Sequence, residues 1–271
     1  RKEAETQSCS VAEAVAEFLS AKEHNKKIRQ PTLNDYRYRL EAFVVKFGDE
    51  SVSSVTTQQV SDYVHGLKAS PATMTNHRRL LSVFFRYGVF KRWCQEDPAA
   101  KVELPALEDV EVGILKPGEA AALLAAADDA LVPRLALALF AGVRDEELNK
   151  LDWAGVALKH GVIRISGQTS KGKTKRQISI SDALRAWLEP HWQLSGPITP
   201  PNCRRLMNAA RKAAGFRPTN YSTDNDERRR EARLQPWPKN CLRHSYASYR
   251  LEQCQSKAQV AEELGNSPAI V

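Results

Sequence analysis

The sequence predicts a mainly α protein with a small β-sheet, arranged as a helical domain followed by a mixed α+β domain. Three features support this fold class. Apolar residues recur at helical spacing over 1–98, a Pro-containing acidic segment follows, and apolar residues alternate over 162–165 and 176–180. We therefore expect a helical domain over 1–98, a linker over 99–115 and a second domain over 116–271.

The first domain is predicted to contain four helices with short connections. Gly48 ends the second helix, and the Ser70-Pro71 pair suits the start of the fourth, because Pro fits the first helical position. The fourth helix carries an apolar face that includes Phe84 and Phe85 and is expected to run into Trp93. The four predicted helices lie near 10–21, 31–47, 57–67 and 71–93.

The second domain is predicted to place two short strands among helices. The strands 162–165 and 176–180 are joined by the polar segment 167–175, and residues 217–235 are expected to form an exposed loop. A short helix is expected directly after Arg144. The other helices are predicted near 118–128, 131–142, 182–189, 199–214, 239–252 and 256–264.

Composition limits the function classes. The chain is 42% hydrophobic and 27% charged, which is ordinary for a globular protein, and no apolar run is long enough to span a membrane. The five scattered cysteines have no zinc-site spacing, and no apolar stretch follows the first basic residues. We therefore expect a cytoplasmic protein with reduced thiols, no metal and no secretion signal.

The positive charge is concentrated in one stretch of the chain. The net charge is +8, and residues 202–250 contain 12 Lys+Arg against 4 Asp+Glu, a surplus of 8. A local basic face favours binding to a nucleic-acid backbone over a general solubility role.

Four local patterns occur in a fixed order in the second domain. Their order is more specific than any one of them alone, since a single Arg or Lys is usually a surface residue. The patterns are Gly142-Val-Arg144-Asp-Glu-Glu147, the turn with Lys171, Lys173 and Lys175, Asn240-Cys-Leu-Arg243-His244, and Leu264-Gly265-Asn266.

These patterns resemble the tyrosine recombinase and phage integrase family. That family has Gly-x-Arg-x-x-Glu, a hairpin Lys, His-x-x-Arg-His, Leu-Gly-His and then a nucleophilic Tyr. The resemblance covers most of the chain. It implies a four-helix, SAM-like core-binding domain and a catalytic domain of the DNA breaking-rejoining type, which together bind duplex DNA as a clamp.

The resemblance implies a role for each matching residue. Arg144 and Arg243 would hold the non-bridging oxygens of the scissile phosphate, since guanidinium forks bind such oxygens bidentately. Lys171 would protonate the leaving oxygen, with Lys173 as the alternative. The full candidate catalytic set is Arg144, Lys171, Asn240, Arg243 and Asn266, supported by Glu147 and His244.

Three departures bear on activity. Asn240 and Asn266 stand where the family has residues such as His, and an amide cannot exchange a proton near neutral pH. The nucleophilic Tyr is expected beyond Val271, so the chain as given is expected to be inactive.

DNA contacts are expected from both domains, although solvated helix-surface charge is an equal interpretation for the first domain. The candidate contact residues are Asn76, His77, Arg78, Arg79, Lys173 and Lys175.

The predicted reaction is site-specific recombination or integration through a 3′-phosphotyrosyl intermediate, without a cofactor. The expected partner is double-stranded DNA, on which a homotetramer would assemble. One alternative is an inactive integrase-like DNA-binding protein, which the two Asn substitutions favour. A second is a type IB topoisomerase-like enzyme. A basic RNA-binding protein would explain the charge but not the ordered motifs.

Overall fold

The computed structural model describes residues 7–25, 28–106, 112–166, 175–219 and 230–267. The chain divides into two compact units, Arg1–Asp109 and Val110–Val271. None of the described helices is long and apolar enough to cross a membrane.

The first unit is a four-helix domain. Short polar motifs determine where its helices begin: Ser10 and Glu13 form a reciprocal capping box at the first, and Thr56 and Gln59 form another at the third. Ser70 caps the fourth helix, which has Pro71 in its first turn. The helices are α1 (Val11–Glu23), α2 (Gln30–Phe47), α3 (Thr57–His65) and α4 (Pro71–Phe90).

Aromatic side chains fill the core of this unit. Phe18, Phe43, Phe84 and Phe85 are completely buried, and the rings of Phe18 and Phe84 meet edge to face with centroids 5.7 Å apart. Burial of each such side chain stabilises the fold by about 1.5–3 kcal/mol. The apolar spacing in the sequence thus identifies the surface on which the helices pack.

Helix α4 is shorter than predicted. It ends at Phe90, and Arg92 adopts a left-handed conformation with φ of 61°, which a continuing helix does not allow. The turn brings Trp93 into the core, where it is buried against the other aromatic residues. The apolar character of Trp93 therefore reflects core packing and not helical continuation.

The second unit combines seven helices with a three-stranded antiparallel sheet among its described residues. Its central helix, Val132–Ala141, is buried over most of its length and packs against the helices 182–188 and 241–254. The helices are α5 (Pro117–Ala125), α6 (Val132–Ala141), α7 (Asp145–Leu148), α8 (Asp182–Leu188), α9 (Cys203–Ala213), α10 (Cys241–Cys254) and α11 (Lys257–Leu264).

The sheet has the order β1-β2-β3, with β1 (Val156–Ala157), β2 (Val162–Ile165) and β3 (Arg176–Ser179). Ile163 and Ile178 pair across β2 and β3, and both face the core. Strand β1 was not predicted, because two residues are too few to show alternation. The fold class predicted from the sequence, mainly α with a small sheet, is confirmed.

The described ends of segment 217–235 are packed and not simply exposed. Arg217 donates to the carbonyl oxygens of Ala232 and Leu234, and Glu231 is buried. Phe216 forms a parallel bridge with Gln235. Residues 220–229 lie outside the described part of the chain, and Arg228 and Arg229 are among them.

Candidate active site

Arg144 lies at the junction between α6 and α7. Gly142 ends α6 in the left-handed conformation, with φ of 58°, and the chain then turns so that Arg144 occupies the N-cap position of α7 in an extended conformation. The carboxylate of Glu147 accepts a hydrogen bond from the Arg144 backbone N–H at 3.1 Å and another from Arg144 Nη1 at 3.1 Å. The Gly-x-Arg-x-x-Glu spacing thus lets Glu147 hold both the backbone and the guanidinium group of Arg144.

Arg243 lies in the first turn of α10 and points toward the same place. Its Nη1 donates to the carbonyl oxygen of Gly142, and its Nη2 donates to the carbonyl oxygen of Leu264 at 2.8 Å. Burial, and next the nearby guanidinium groups of Arg144 and Arg176, lower the pKa of Arg243 to about 9. Arg243 therefore stays protonated at neutral pH, and an anion bound beside it would relieve the repulsion.

The two guanidinium groups meet at one oxygen atom. The side-chain Oδ1 of Asn266 accepts from Arg144 Nη2 at 2.6 Å and from Arg243 Nη2 at 3.2 Å. An oxygen held between two guanidinium groups has the environment that a non-bridging phosphate oxygen requires. The predicted residues Arg144, Glu147, Arg243 and Asn266 are thus brought together.

The end of α11 holds the arginines with its backbone. Three consecutive carbonyl oxygens, those of Glu263, Leu264 and Gly265, accept from Arg176 Nε at 3.0 Å, Arg243 Nη2 at 2.8 Å and Arg144 Nη2 at 2.8 Å. We call these three oxygens the carbonyl cradle. Gly265 makes the turn possible, since its φ is 62°. The C-terminal end of a helix carries partial negative charge, which favours bound cations.

Arg176 is a site residue that sequence reasoning missed. It begins β3, its side chain is only 6% exposed, and it donates to both carboxylate oxygens of Glu147, at 2.9 and 2.6 Å. One signal was available: Arg176 shares its strand face with Ile178 and Ile180, so a charged residue occupies an inward position. Such a residue requires a buried partner.

Glu147 is the negative centre of this cluster and is 1% exposed. Burial by itself raises the pKa of its carboxyl group. Hydrogen bonds and charge from Arg176, and then hydrogen bonds from Arg144, outweigh that effect, so the pKa is lowered overall. Glu147 is therefore ionised at neutral pH and offsets one of the three guanidinium charges.

Within the described part of the chain, the other predicted catalytic residues have no hydrogen bond to the cluster of Arg144, Glu147 and Arg243. Asn240 is exposed at the N-cap of α10, in the left-handed conformation with φ of 55°, and its side chain makes no capping hydrogen bond. His244 is half-buried, and burial followed by the charge of Arg243 lowers its pKa. Lys171 and Lys173 lie outside the described residues, and Lys175 is exposed just before β3.

The predicted DNA contacts of the first unit divide into two groups. Asn76 and Arg79 are exposed on α4. His77 is 8% exposed and packs beside Tyr63, with ring centroids 6.4 Å apart, so little of its side chain reaches the surface. Arg78 is half-buried and donates to the carbonyl oxygens of Ala99 and Ala100, which secures the chain that leaves the helical core.

No group of three or more His, Cys, Asp or Glu side chains is arranged to hold a metal ion within the described ranges.

The fold and sequence are similar to those of known recombinases and integrases. The profile described as phage integrase, N-terminal SAM-like domain, matches residues 15–93. Tyrosine recombinase XerC of Azotobacter vinelandii is 28% identical, over 92% of this chain and 86% of that protein.

Two solved structures share the fold. A lambda integrase dimer bound to a COC′ core site has a TM-score of 0.76 at 18% identity, covering 97% of both chains. A lambda integrase tetramer bound to a Holliday junction has a TM-score of 0.74 at 19% identity, covering 96% of this chain and 78% of that one. Together with the ordered motifs, these similarities support the tyrosine recombinase and phage integrase family as the one that this chain resembles.

Proposed function

We propose that this protein is a site-specific DNA recombinase that cleaves and rejoins duplex DNA through a tyrosine nucleophile. The observation that carries the proposal is the convergence of Arg144 and Arg243 on a single oxygen, at 2.6 and 3.2 Å. A relative named tyrosine recombinase XerC and the lambda integrase complexes with DNA support the same substrate class.

The chemistry explains why two arginines are needed. Attack on a phosphodiester passes through a pentacoordinate phosphorane with additional negative charge on its non-bridging oxygens. Preorganised positive groups that bind this charge more tightly in the transition state lower the barrier. Arg144 and Arg243 are each held by a backbone carbonyl oxygen, so both guanidinium groups are oriented before the phosphate binds.

The proposed reaction has two balanced steps. A Tyr hydroxyl gives its proton to solvent and attacks phosphorus, the bond from phosphorus to the 5′ oxygen breaks, and the Lys171 ammonium group protonates that oxygen. The products are a 3′-phosphotyrosyl link and a free 5′ hydroxyl. A 5′ hydroxyl from a partner strand then gives its proton to the neutral Lys171 amine and attacks phosphorus, the bond from phosphorus to the Tyr oxygen breaks, and the Tyr regains a proton from solvent. The covalent link retains the phosphodiester bond energy, so no nucleotide cofactor is consumed.

The nucleophile would be a Tyr that follows Asn266 in the full reading frame. Two tyrosines of the described second unit have other roles. Tyr246 donates to the Glu263 carboxylate at 2.7 Å, and burial together with that carboxylate raises its pKa. Tyr249 donates to the carbonyl oxygen of Leu115 at 2.7 Å. Both hydroxyl groups are thus engaged in holding α10.

A covalent trapping experiment tests the function. The protein expressed from its full reading frame is incubated with duplex DNA that carries a nick near the cleavage site. The short cleaved fragment then diffuses away, so the strand cannot be rejoined and the covalent product accumulates. Denaturing electrophoresis and peptide mass spectrometry identify that product. A DNA fragment attached to a Tyr supports the proposal. Binding without a covalent product would instead favour the inactive DNA-binding alternative, which Asn240 and Asn266 suggest. Relaxation of supercoiled DNA by monomers at any sequence would favour the topoisomerase-like alternative.

We also propose that the active form is a homotetramer on paired DNA sites. Lambda integrase is found as a dimer on a core site and as a tetramer on a Holliday junction. Analytical ultracentrifugation with DNA carrying two sites is expected to show four protomers per synapse.

DNA binding should depend strongly on salt, because each phosphate contact releases condensed counterions. Arg204 and Arg205 are exposed on α9, within the basic stretch 202–250. We expect the double variant Arg204→Ala/Arg205→Ala to lower the slope of log affinity against log salt by about 2, as two lost phosphate contacts imply. Fluorescence anisotropy with duplex DNA at several salt concentrations measures it.

Arg185→Ala is the matched control, since Arg185 already pairs with Glu189 and donates to the Leu158 carbonyl oxygen. Its slope should equal that of the unaltered protein. An affinity that is unaffected by salt would contradict binding through phosphate contacts.

Asn240→His should raise the cleavage rate by at least about tenfold, the lower range of general acid–base effects. The exposed position leaves space for an imidazole, and His is among the residues that tolerate the left-handed conformation. Single-turnover cleavage is measured against pH, and an ionisation near pH 6.5 should appear in the variant only. Asn240→Ala is the control. An unchanged rate and pH profile would show that position 240 does not take part in proton transfer.

A further inference from the structure

Arg176 has a partner inside the protein at each of its three guanidinium nitrogens. Its two terminal nitrogens donate to the two oxygens of Glu147, and its Nε donates to the Glu263 carbonyl oxygen. All three donor nitrogens therefore have partners inside the protein, and the side chain is only 6% exposed. Three of its five N–H groups are thus used inside the protein, and its low exposure leaves little surface for a contact with the substrate.

Glu147 pairs unequally with its two arginines. Arg176 binds it bidentately at 2.9 and 2.6 Å, whereas the Arg144 side chain makes one contact of 3.1 Å and is 24% exposed. Shorter, bidentate and more deeply buried contacts are the stronger ones. The charge of Glu147 is therefore balanced mainly by Arg176, and the remaining terminal nitrogen of Arg144 is directed to Asn266 and the carbonyl cradle.

We propose that Arg176 is a positioning residue that pairs with the carboxylate of Glu147, so that the guanidinium groups of Arg144 and Arg243 stay directed toward the scissile phosphate. The inference rests on the proposed function and adds a residue that the motifs do not contain. Three guanidinium groups and one carboxylate leave a net charge of +2 in this cluster. Without Arg176, the nearest cation for the buried carboxylate is Arg144.

Arg176 also fixes the end of α11. It holds the first oxygen of the carbonyl cradle, and a Cβ atom on Gly265 would lie 3.2 Å from the Arg176 Cδ. The next two oxygens of the cradle hold Arg243 and Arg144. A shift of the α11 end on loss of Arg176 would therefore displace both phosphate-binding groups together.

The test compares Arg176→Met with the double variant Arg176→Met/Glu147→Gln in the protein from the full reading frame. Single-turnover cleavage is measured at saturating DNA and at a temperature where circular dichroism shows each protein to be folded. The single variant should lose about 10²-fold in rate, the size of effect expected from misplacing a catalytic group by about 1 Å. The double variant should recover at least about tenfold of that loss, because no buried carboxylate remains to attract Arg144.

DNA affinity should change little in both variants, since many other contacts hold the backbone. A buried ion pair that only stabilised the fold would leave the cleavage rate of every folded variant unchanged, and that result would overturn the proposal. Equal rates for the single and double variants would also overturn it. If Arg176→Met does not fold, Arg176→Lys takes its place: it keeps the charge and should cleave faster than the double variant.

A second readout separates this inference from the proposed function. Orthovanadate is an oxyanion that resembles the phosphorane, and its affinity for the chain is measurable by calorimetry without a nucleophile. Arg176→Met should weaken vanadate binding at least about tenfold, and the double variant should restore it, because Arg144 then has no carboxylate at position 147 to pair with. If the unaltered protein binds vanadate more tightly than Arg176→Met does but never cleaves DNA, the proposed function fails while the role of Arg176 in anion binding stands. Absence of both activities would contradict both.

Discussion

Arg243→Ala is expected to lower single-turnover cleavage by about 10³-fold or more, the usual size of effect when a cationic group that binds transition-state charge is removed. Arg243 is half-buried, and its guanidinium lies beside that of Arg144 at the shared oxygen of Asn266. DNA affinity should fall by less than about tenfold, because one phosphate contact among many is lost. Cleavage of nicked DNA and fluorescence anisotropy on the same preparations measure the two effects.

Two variants serve as controls for this result. Arg164→Ala removes the same type of side chain from an exposed position in β2 and should leave the cleavage rate unchanged. Arg243→Lys keeps the charge without the planar fork and should give an intermediate rate. A parallel loss of binding and cleavage in Arg243→Ala would show that Arg243 is a general DNA contact and would remove it from the catalytic set.

Gly142→Ala is expected to destabilise the protein by about 3 kcal/mol, the sum of a left-handed alanine and an overpacked contact. A Cβ atom at this position would lie 2.4 Å from Tyr246 Cδ1 and 2.7 Å from Leu264 Cδ2, on α10 and α11. The side chains of Tyr246 and Leu264 would have to shift, and the carbonyl oxygen of Gly142 also accepts from Arg243. Urea unfolding followed by circular dichroism measures the stability.

Gly161→Ala is a matched control for backbone strain. Gly161 has a similar φ of 66°, but its Cβ atom would meet only Arg185 Nη2, at 3.7 Å. This variant should cost about 1 kcal/mol, from the left-handed conformation alone. The difference between the two variants therefore measures the close approach of α10 and α11. Equal destabilisation would mean that the helices adjust without cost.

Much of the fold was predictable from local sequence signals. Ser70 caps α4 and Pro71 lies in its first turn, as the Ser70-Pro71 pair indicated. Strand alternation correctly located β2 and β3. The errors have physical reasons: a single residue in a left-handed conformation, Arg92, ended α4, and a two-residue strand such as β1 has no period to detect.

The site was predicted less completely than the fold. The motifs in the sequence named four residues that the structure brings together: Arg144, Glu147, Arg243 and Asn266. Arg176 and the carbonyl cradle depend on which strand and helix ends pack against one another, and local spacing carries no such information. His77 shows the reverse problem, because a polar residue in a basic run was buried by the packing of α3 and α4.

The carbonyl cradle has a consequence for how this site tolerates sequence change. Peptide oxygens are present whatever the side chain, so replacements at Leu264 or Asn266 remove no cradle oxygen. An Asn at position 266 is thus compatible with both arginines held in place. The geometry of the site depends instead on residues that can adopt the required backbone conformation. Gly142 and Gly265 are both left-handed, so a substitution at either position would disturb the geometry.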